Sequence, residues 1–130
     1  MVKDPLSDFI IQLKNGSSAK KEMVTVGYTK MVAAVADLLA KEGFVKEVSK
    51  KGKKINKFIE VTLRYEKKQP AITGVQRVSK LSKRMYTKAK EIRPVKNGFG
   101  VLVLTTPKGI VTDKEAKALN VGGEPLFKIW

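Results

Sequence analysis

Two threonines, a proline, a lysine and a glycine follow an apolar run near the end of the sequence. The apolar run is Val101–Leu104, the polar residues occupy Thr105–Gly109, and Thr112 with Glu115 three residues later has the spacing of a helix capping box. A polar turn at a helix N-terminus presents hydroxyl groups and main-chain N–H groups to an anion. The pattern therefore predicts an anion-binding turn with Lys108 beside it, and an ordinary strand-to-helix loop is the alternative.

Basic residues with one aromatic residue among them form a second candidate for chemistry. Residues 67–97 contain ten lysines and arginines against one acidic residue, Glu91, and Tyr86 lies within this segment. Cationic side chains contact phosphates, and an aromatic ring stacks on an unpaired base. A solvated basic surface is the alternative, but the size of the charge surplus favours binding to a nucleic acid.

A glycine pair followed by a carboxylate forms the third candidate. Gly122 and Gly123 would allow a ligand to approach the backbone closely, and Glu124 could accept hydrogen bonds from base amino groups or hold a neighbouring lysine. The alternative is a helix C-cap followed by an edge residue. The lysines between Lys50 and Lys57 are a weaker candidate, because a hairpin tip of solvated lysines needs no function.

The composition limits the classes of function. Among 130 residues there are 27 lysines and arginines and 12 acidic residues, and the net charge of +15 indicates a polyanionic partner. There is no cysteine and no histidine, which excludes disulfides and zinc–cysteine sites and removes the commonest general base. Of the acids that a catalytic site could use, Asp113 and Glu115 are explained by helix capping, which leaves Glu124. We therefore predict a protein that is not an enzyme and needs no metal or other cofactor.

The sequence also contains no sign of a membrane segment. The longest apolar run, Met31–Ala36, stops at Asp37 and is far shorter than the roughly 20 residues that cross a bilayer. The first residues lack the apolar core of a signal peptide. We expect a cytoplasmic protein with no membrane partner.

Helix and strand signals predict an α+β fold with two small lobes. The N-terminal lobe should have the order helix, strand, helix, strand, strand, and the C-terminal lobe mostly antiparallel strands with a short helix. The polar segment Tyr65–Pro70 places the boundary between residues 1–66 and 67–130. The first lobe has 13 basic against 8 acidic residues and the second 14 against 4, so the second should be the basic, RNA-binding lobe.

The individual elements follow from caps and periodicity. In the first lobe they are a helix from Asp4-Pro5 to Asn15-Gly16, a strand at Val24–Tyr28, a helix from Thr29 to Glu42-Gly43 with Met31, Val32, Val35, Leu38 and Leu39 buried, and strands at Phe44–Val48 and Ile55–Leu63. In the second lobe they are strands at Ala71–Val78 and Val101–Leu104, a helix after Thr112 with Ala116 and Leu119 on its apolar side, and a last strand from Glu124 to a packed Trp130.

The ordered motifs resemble those of the bacterial-type small-subunit ribosomal protein eight family over essentially the whole length of the chain. The segments that carry the resemblance are Asp4–Asp8 with Asn15, Leu39–Phe44, Arg77–Lys80, Arg84–Tyr86, Asn97–Gly100, Thr105–Gly109, Thr112–Ala116, Asn120–Glu124 and Trp130. Each motif alone is weak, whereas the ordered set is specific.

The resemblance implies a structural constituent of the small ribosomal subunit. Family members bind the central domain of small-subunit ribosomal RNA and help to assemble the platform, beside small-subunit proteins five and twelve. The resemblance also implies a monomer outside the ribosome. A translational repressor acting on its own operon messenger RNA is the alternative, and a phosphate-handling enzyme is the rival from a different class.

The motifs and the resemblance together give a set of candidate RNA-binding residues. They are Ser79, Lys80, Lys83, Arg84, Tyr86, Thr105, Thr106, Lys108, Gly109, Gly122, Gly123 and Glu124. Two places depart from the family pattern, because Pro107 stands where serine is usual and Leu81-Ser82 replaces Pro-Gly. The contacts at the turn must therefore come from the two threonines, the lysine and the backbone.

Overall fold

The computed structural model describes residues 4–80 and 82–130, and the α+β fold predicted from the sequence is confirmed. The chain forms two compact units, of which the first ends at Thr73 and the second runs from Gly74 to Trp130. The lobe boundary after residue 66 stays a prediction. The departure from the family pattern at Leu81 and the expectations about residues 1–3 lie outside the described residues.

Two helices and a three-stranded antiparallel sheet make up most of the first unit. The sheet has the order β1-β3-β2, and alternate residues of β3 are buried. The elements are α1 (Pro5–Ser18), β1 (Met23–Gly27), α2 (Lys30–Lys41), β2 (Val45–Lys51) and β3 (Phe58–Leu63), followed by a short hairpin of β4 (Tyr65–Glu66) and β5 (Gln69–Pro70). The predicted order of helix, strand, helix, strand, strand is confirmed.

Both predicted helix starts are confirmed by side-chain caps. The Asp4 carboxylate accepts a hydrogen bond from the Ser7 N–H at 3.1 Å, and Pro5 occupies the first turn. The Thr29 hydroxyl accepts from the Val32 N–H at 3.0 Å. These caps bond N–H groups that have no partner within the helix, so local sequence is enough to place them.

The first helix ends two residues later than predicted. Asn15-Gly16 does not stop α1, which continues to Ser18. Gly16 is buried, and a Cβ atom there would lie 2.8 Å from Val24 Cγ1, so the glycine allows the helix to pack closely on β1. A sequence reading cannot separate a glycine that stops a helix from one that lets a strand approach it.

Met31, predicted to be buried, and Ile55, predicted to begin a strand, are both exposed. Met31 is 41% exposed, and the buried face of α2 is completed by Ala33 and Ala36. Ile55 is 93% exposed, because β2 continues to Lys51 and β3 starts only at Phe58. The lysine-rich loop is therefore displaced along the chain from its predicted position.

A four-stranded antiparallel sheet and one short helix form the second unit, as predicted. The strand order is β6-β9-β7-β8. The elements are β6 (Val75–Arg77), 3-10 helices at Ala89–Glu91 and Lys96–Gly98, β7 (Val101–Thr106), β8 (Gly109–Thr112), α3 (Asp113–Leu119) and β9 (Glu124–Ile129). The strand predicted at Ala71–Val78 is limited to the three residues of β6.

The core of the second unit lies between the sheet and α3. Its buried residues are Ile92, Val95, Leu102, Leu104, Val111 and Ala116, with Val78, Val121 and Trp130 packed against them. The predicted packing of Trp130 is confirmed. Leu119 is 51% exposed and does not belong to this core, because it occupies the last position of the helix.

Candidate nucleic-acid interface

The Thr105–Gly109 segment is the tip of a β-hairpin and does not lead directly into a helix. β7 continues through Thr106, and β8 starts at Gly109, which pairs with Thr106 across a two-residue loop. α3 begins only at Asp113, beyond the far end of β8. The predicted position of this turn at a helix N-terminus is therefore wrong. β-branched threonines favour the strand, and here they extend it.

The Thr106 side chain holds the hairpin loop together. Its Oγ1 donates a hydrogen bond to the Gly109 carbonyl at 2.9 Å and accepts one from the Lys108 N–H at 3.1 Å. A hydroxyl oxygen has two acceptor positions, so one remains for a donor such as a ribose hydroxyl. Pro107 contributes no N–H, whereas Lys108 is exposed at the tip. The loop can therefore offer one acceptor and one cation to RNA.

The glycine pair lies beside this hairpin because β9 is the neighbour of β7. Thr105 is paired with Glu124. A Cβ atom at Gly123 would collide with the Thr105 carbonyl oxygen and would lie 2.8 Å from the Thr106 Cγ2. The absence of a side chain at this position is thus required by the close approach of the hairpin.

Tyr86 lies next to the glycine pair because the following residue, Thr87, forms a short β-bridge with Gly123. The two residues exchange backbone N–H to carbonyl hydrogen bonds of 2.9 Å in both directions. A Cβ atom at Gly122 would collide with the Thr87 carbonyl and would lie 3.2 Å from the Tyr86 hydroxyl. Tyr86 is 70% exposed, so its ring is fixed at its base and accessible for stacking.

Tyr86, Thr105–Gly109 and Gly122–Glu124 therefore form one surface, which we call the hairpin patch. The sequence predicted its members but not the residue that joins them. Thr87 was missed, because its pairing with Gly123 connects positions far apart in the chain and leaves no local signal. Exposed Pro107 and Lys108 lie at the outer end of the patch.

Glu124 connects the hairpin patch to the basic segment. One carboxylate oxygen accepts a hydrogen bond from the Ser79 Oγ at 2.5 Å, and the other lies 3.4 Å from the Arg84 Nη1. Ser79 is fully buried, and its Oγ also accepts from the Met85 N–H at 3.1 Å. Ser79 and Glu124 thus position the segment that carries Tyr86.

The basic residues among the predicted candidates supply positive charge at the hairpin patch and around it. Lys80 and Lys83 exchange backbone hydrogen bonds of 3.0 and 3.1 Å in a tight turn, and both side chains are exposed. With Arg84 and Lys108 they give four cations against the single carboxylate of Glu124. The surface is therefore electropositive and suited to a polyanion.

The acids considered for catalysis have structural roles. The buried Asp113 carboxylate accepts a hydrogen bond from the Leu102 N–H at 3.3 Å, and that of Glu115 accepts from the Thr112 N–H at 3.2 Å in the predicted capping box. Within residues 4–80 and 82–130, no three acidic, histidine or cysteine residues are grouped so that they could hold a metal ion. These carboxylates stabilise α3 and its connection to β7.

Comparison with known proteins places the sequence in a family. The sequence matches the family described as ribosomal protein S8 over residues 4–130. The chain belongs to the ribosomal protein S8 family. This membership confirms the resemblance seen in the sequence and the prediction that the chain is not an enzyme.

Relatives in several bacteria carry the name small ribosomal subunit protein uS8. The protein of Mycoplasmopsis synoviae (strain 53) is 42% identical over 98% of this chain and 97% of its own length. That of Dictyoglomus thermophilum is 40% identical over 99% and 98%, and that of Chloroflexus aggregans is 42% identical over 99% and 98%. The similarity therefore covers both compact units. Among the described residues, no helix is long and apolar enough to cross a membrane.

Proposed function

We propose that the chain is a structural constituent of the small ribosomal subunit in the cytoplasm and that it binds ribosomal RNA through the hairpin patch. Family membership and the names of its relatives support the ribosomal role. The observation that carries the RNA-binding role is the meeting of the Thr105–Gly109 hairpin, Tyr86 and Gly122–Glu124 on one basic surface.

The parts of this surface would make different contacts. Lys80, Lys83, Arg84 and Lys108 would neutralise phosphates, which supplies affinity and makes it dependent on salt. Tyr86 would stack on an unpaired base, and the free acceptor position of Thr106 would bind a ribose hydroxyl. Because these contacts suit an irregular RNA better than a regular duplex, shape would provide much of the specificity.

The finer proposal concerns the place within the subunit. We infer a site in the central domain of the small-subunit RNA, a part in platform assembly and neighbours among small-subunit proteins, proteins five and twelve in particular. Repression through the chain's own operon messenger RNA would require an RNA of similar shape on the same patch. Sedimentation of the protein with small subunits would support the ribosomal role, and binding to the messenger alone would support repression.

A direct test compares variants of the hairpin loop in a filter-binding titration with a transcript of the central domain. Thr106→Ala should weaken binding roughly fivefold, because one hydroxyl contact is lost and the loop is loosened. Thr106→Ser keeps the hydroxyl and should bind almost as wild type does.

Lys108→Ala provides the electrostatic arm of the same test. It should weaken binding and lower the slope of log affinity against log salt by about one. The matched control is Lys51→Ala in the first unit, where the Lys51 Nζ is paired with the Glu60 carboxylate at 3.0 Å, and there binding should hardly change. Equal small effects of both lysine changes would contradict the proposed interface.

A further inference from the structure

Phe99 is an aromatic residue that the fold leaves almost entirely in solvent. It is 87% exposed, more than Tyr86, although it lies between buried Val95 and the buried start of β7. An exposed phenylalanine ring gains nothing from hydrophobic burial in the folded chain. Packing in the core therefore does not explain why a phenylalanine occupies this position.

The loop that carries Phe99 is fixed by its backbone. The Val95 carbonyl accepts hydrogen bonds from the Gly98 and Gly100 N–H groups, each at 3.0 Å, and the Phe99 N–H donates to the Lys96 carbonyl at 3.1 Å. A Cβ atom at Gly100 would lie 2.7 Å from the Ile129 carbonyl oxygen, so the chain is anchored directly after the ring. The ring is therefore presented from an ordered turn.

The turn adopts an uncommon backbone conformation to do this. Lys96 and Asn97 have φ angles of 48° and 55°, in the left-handed region that lysine rarely occupies, and Gly98 follows with 93°. The Lys96 Nζ lies 4.6 Å from the centre of the Trp130 ring, which holds the side chain across the end of the sheet. Unfavourable backbone angles persist where the surroundings maintain them, and they occur often at binding sites.

The loop lies at the opposite end of β7 from the hairpin patch. Phe99 precedes Val101, the first residue of β7, and Thr106 is the last. Six residues of strand span roughly 17 Å, so one base cannot touch both ends. The second unit therefore presents two exposed aromatic rings, Tyr86 and Phe99, at two separate ends of one sheet.

We propose that Phe99 is a second base-stacking site, on which an unpaired nucleotide of the bound RNA rests while Arg93 and Lys96 face its phosphates. This rests on the proposed RNA-binding function and adds a contact that the hairpin patch does not contain. Arg93 and Lys96 are exposed, and the nearby Glu91 carboxylate accepts a hydrogen bond from the Lys88 N–H at 3.0 Å. The turn and the residues just before it thus carry an exposed ring and two exposed cations, and proteins that bind single-stranded nucleic acids combine these two kinds of side chain.

A protein partner fits this loop less well. The cores of protein–protein interfaces are depleted in lysine. Lys96, three residues before Phe99 in the same turn, is exposed, and its Nζ is held over the Trp130 ring. An apolar pocket would also accept leucine in place of phenylalanine, whereas stacking needs an aromatic face. This difference makes the two explanations separable by substitution.

The test measures binding of a transcript of the small-subunit central domain to the full chain and to three variants. Phe99→Ala should weaken binding about five- to a hundredfold, which is the range for one stacked base. Phe99→Tyr should bind as wild type does, and Phe99→Leu should be weakened like the alanine variant. The salt slope should be the same for all four proteins, because stacking neutralises no phosphate.

Folding is separated from binding in the same experiment. Because the ring is 87% exposed, Phe99→Ala should unfold at the same urea concentration as wild type. If Thr106→Ala weakens binding but Phe99→Ala stays within twofold of wild type, the stacking site is refuted and the proposed function survives. If Phe99→Leu binds the transcript as tightly as wild type does, stacking is likewise refuted in favour of an apolar contact. If the wild-type chain does not bind the transcript, the proposed function fails and the stacking site fails with it.

Discussion

Several residues of the hairpin patch have two roles. They are candidates for RNA contacts, and they also hold the surface in its shape. The Thr106 hydroxyl bonds across the hairpin loop, and Glu124 holds both Ser79 and Arg84. Gly123 is needed because its neighbour strand passes so close. A loss of binding after substitution can thus arise from a lost contact or from a displaced surface, and stability must be measured beside affinity.

Ser79→Ala separates positioning from contact. The substitution removes a buried donor to Glu124 and the acceptor of the Met85 N–H. The Glu124 carboxylate and the Met85 N–H are only partly buried, so the loss of these two hydrogen bonds should lower the free energy of unfolding in urea by about 1 kcal/mol. RNA affinity should fall too, because the segment carrying Tyr86 is loosened.

Ser82→Ala is the control for that change, since Ser82 is exposed in the same segment. Both its stability and its affinity should stay close to wild type. A Ser79→Ala variant with unchanged stability would show that the buried network does not hold the segment.

Gly123→Ala tests the close approach of β7. The added methyl group would collide with the Thr105 carbonyl, and forcing strands apart in a packed region costs about 1–3 kcal/mol. Gly27→Ala is the matched control, because Gly27 is likewise paired with a neighbouring strand and a Cβ atom there would meet nothing within 4 Å. Urea denaturation should show a loss for the first and no loss for the second; equal curves would remove the packing argument.

At the scale of elements, the sequence predicts what depends on neighbouring residues. Asp4, Thr29 and Thr112 are helix caps in the structure as in the sequence, because a cap is made within about three residues. The strand β9 and the packed Trp130 follow from alternation. The glycine pair and the basic segment are recognisable as candidates from the local order of residues.

What the sequence does not predict depends on contacts between distant residues. Gly16 looks like a helix stop, but β1 requires it for close packing. Thr105–Gly109 looks like a strand-to-helix turn, but pairing of β7 with β8 turns it into a hairpin. The exposure of Phe99 likewise depends on how the turn before β7 is anchored to Val95 and Ile129.

The packing of α3 on the sheet gives a prediction about two leucines, one buried and one exposed. Leu104 is fully buried in β7 beneath the helix, whereas Leu119 at the helix end is 51% exposed. Leu104→Ala should lower the free energy of unfolding by about 2–5 kcal/mol, because it leaves a cavity in the core. Leu119→Ala should cost less than about 1 kcal/mol by the same denaturation measurement. Similar losses for both would mean that the core boundary lies elsewhere.

At the scale of the whole molecule, the excess of positive charge is spread over both compact units. The sequence-based lobes have 13 basic against 8 acidic and 14 against 4 residues, which suggests a strong asymmetry. Counted over residues 1–73 and 74–130, the numbers become 15 against 8 and 12 against 4, so the net charges are +7 and +8. The total charge of a unit therefore does not identify the RNA-binding surface, and the placement of individual cations must.

Two double variants with equal total charge test this placement. Lys83→Glu with Lys108→Glu changes one cation beside the hairpin patch and one within it, and Lys53→Glu with Lys54→Glu changes the exposed loop between β2 and β3. Each reversal lowers the net charge by two, so both variants carry +11 in place of +15. Long-range attraction, which depends on total charge, is reduced equally in the two proteins.

The two variants should differ wherever specific phosphate contacts dominate. The first should bind a central-domain transcript at least roughly tenfold more weakly than wild type, with a salt slope lower by about two, because two phosphate contacts are lost. The second should stay within about threefold, since only general attraction changes. Equal weakening of both would mean that the RNA responds to total charge and that the hairpin patch is not the binding surface. An unequal result in the expected direction, measured at one salt concentration, would assign the affinity to the few cations that the fold places around Tyr86 and Glu124.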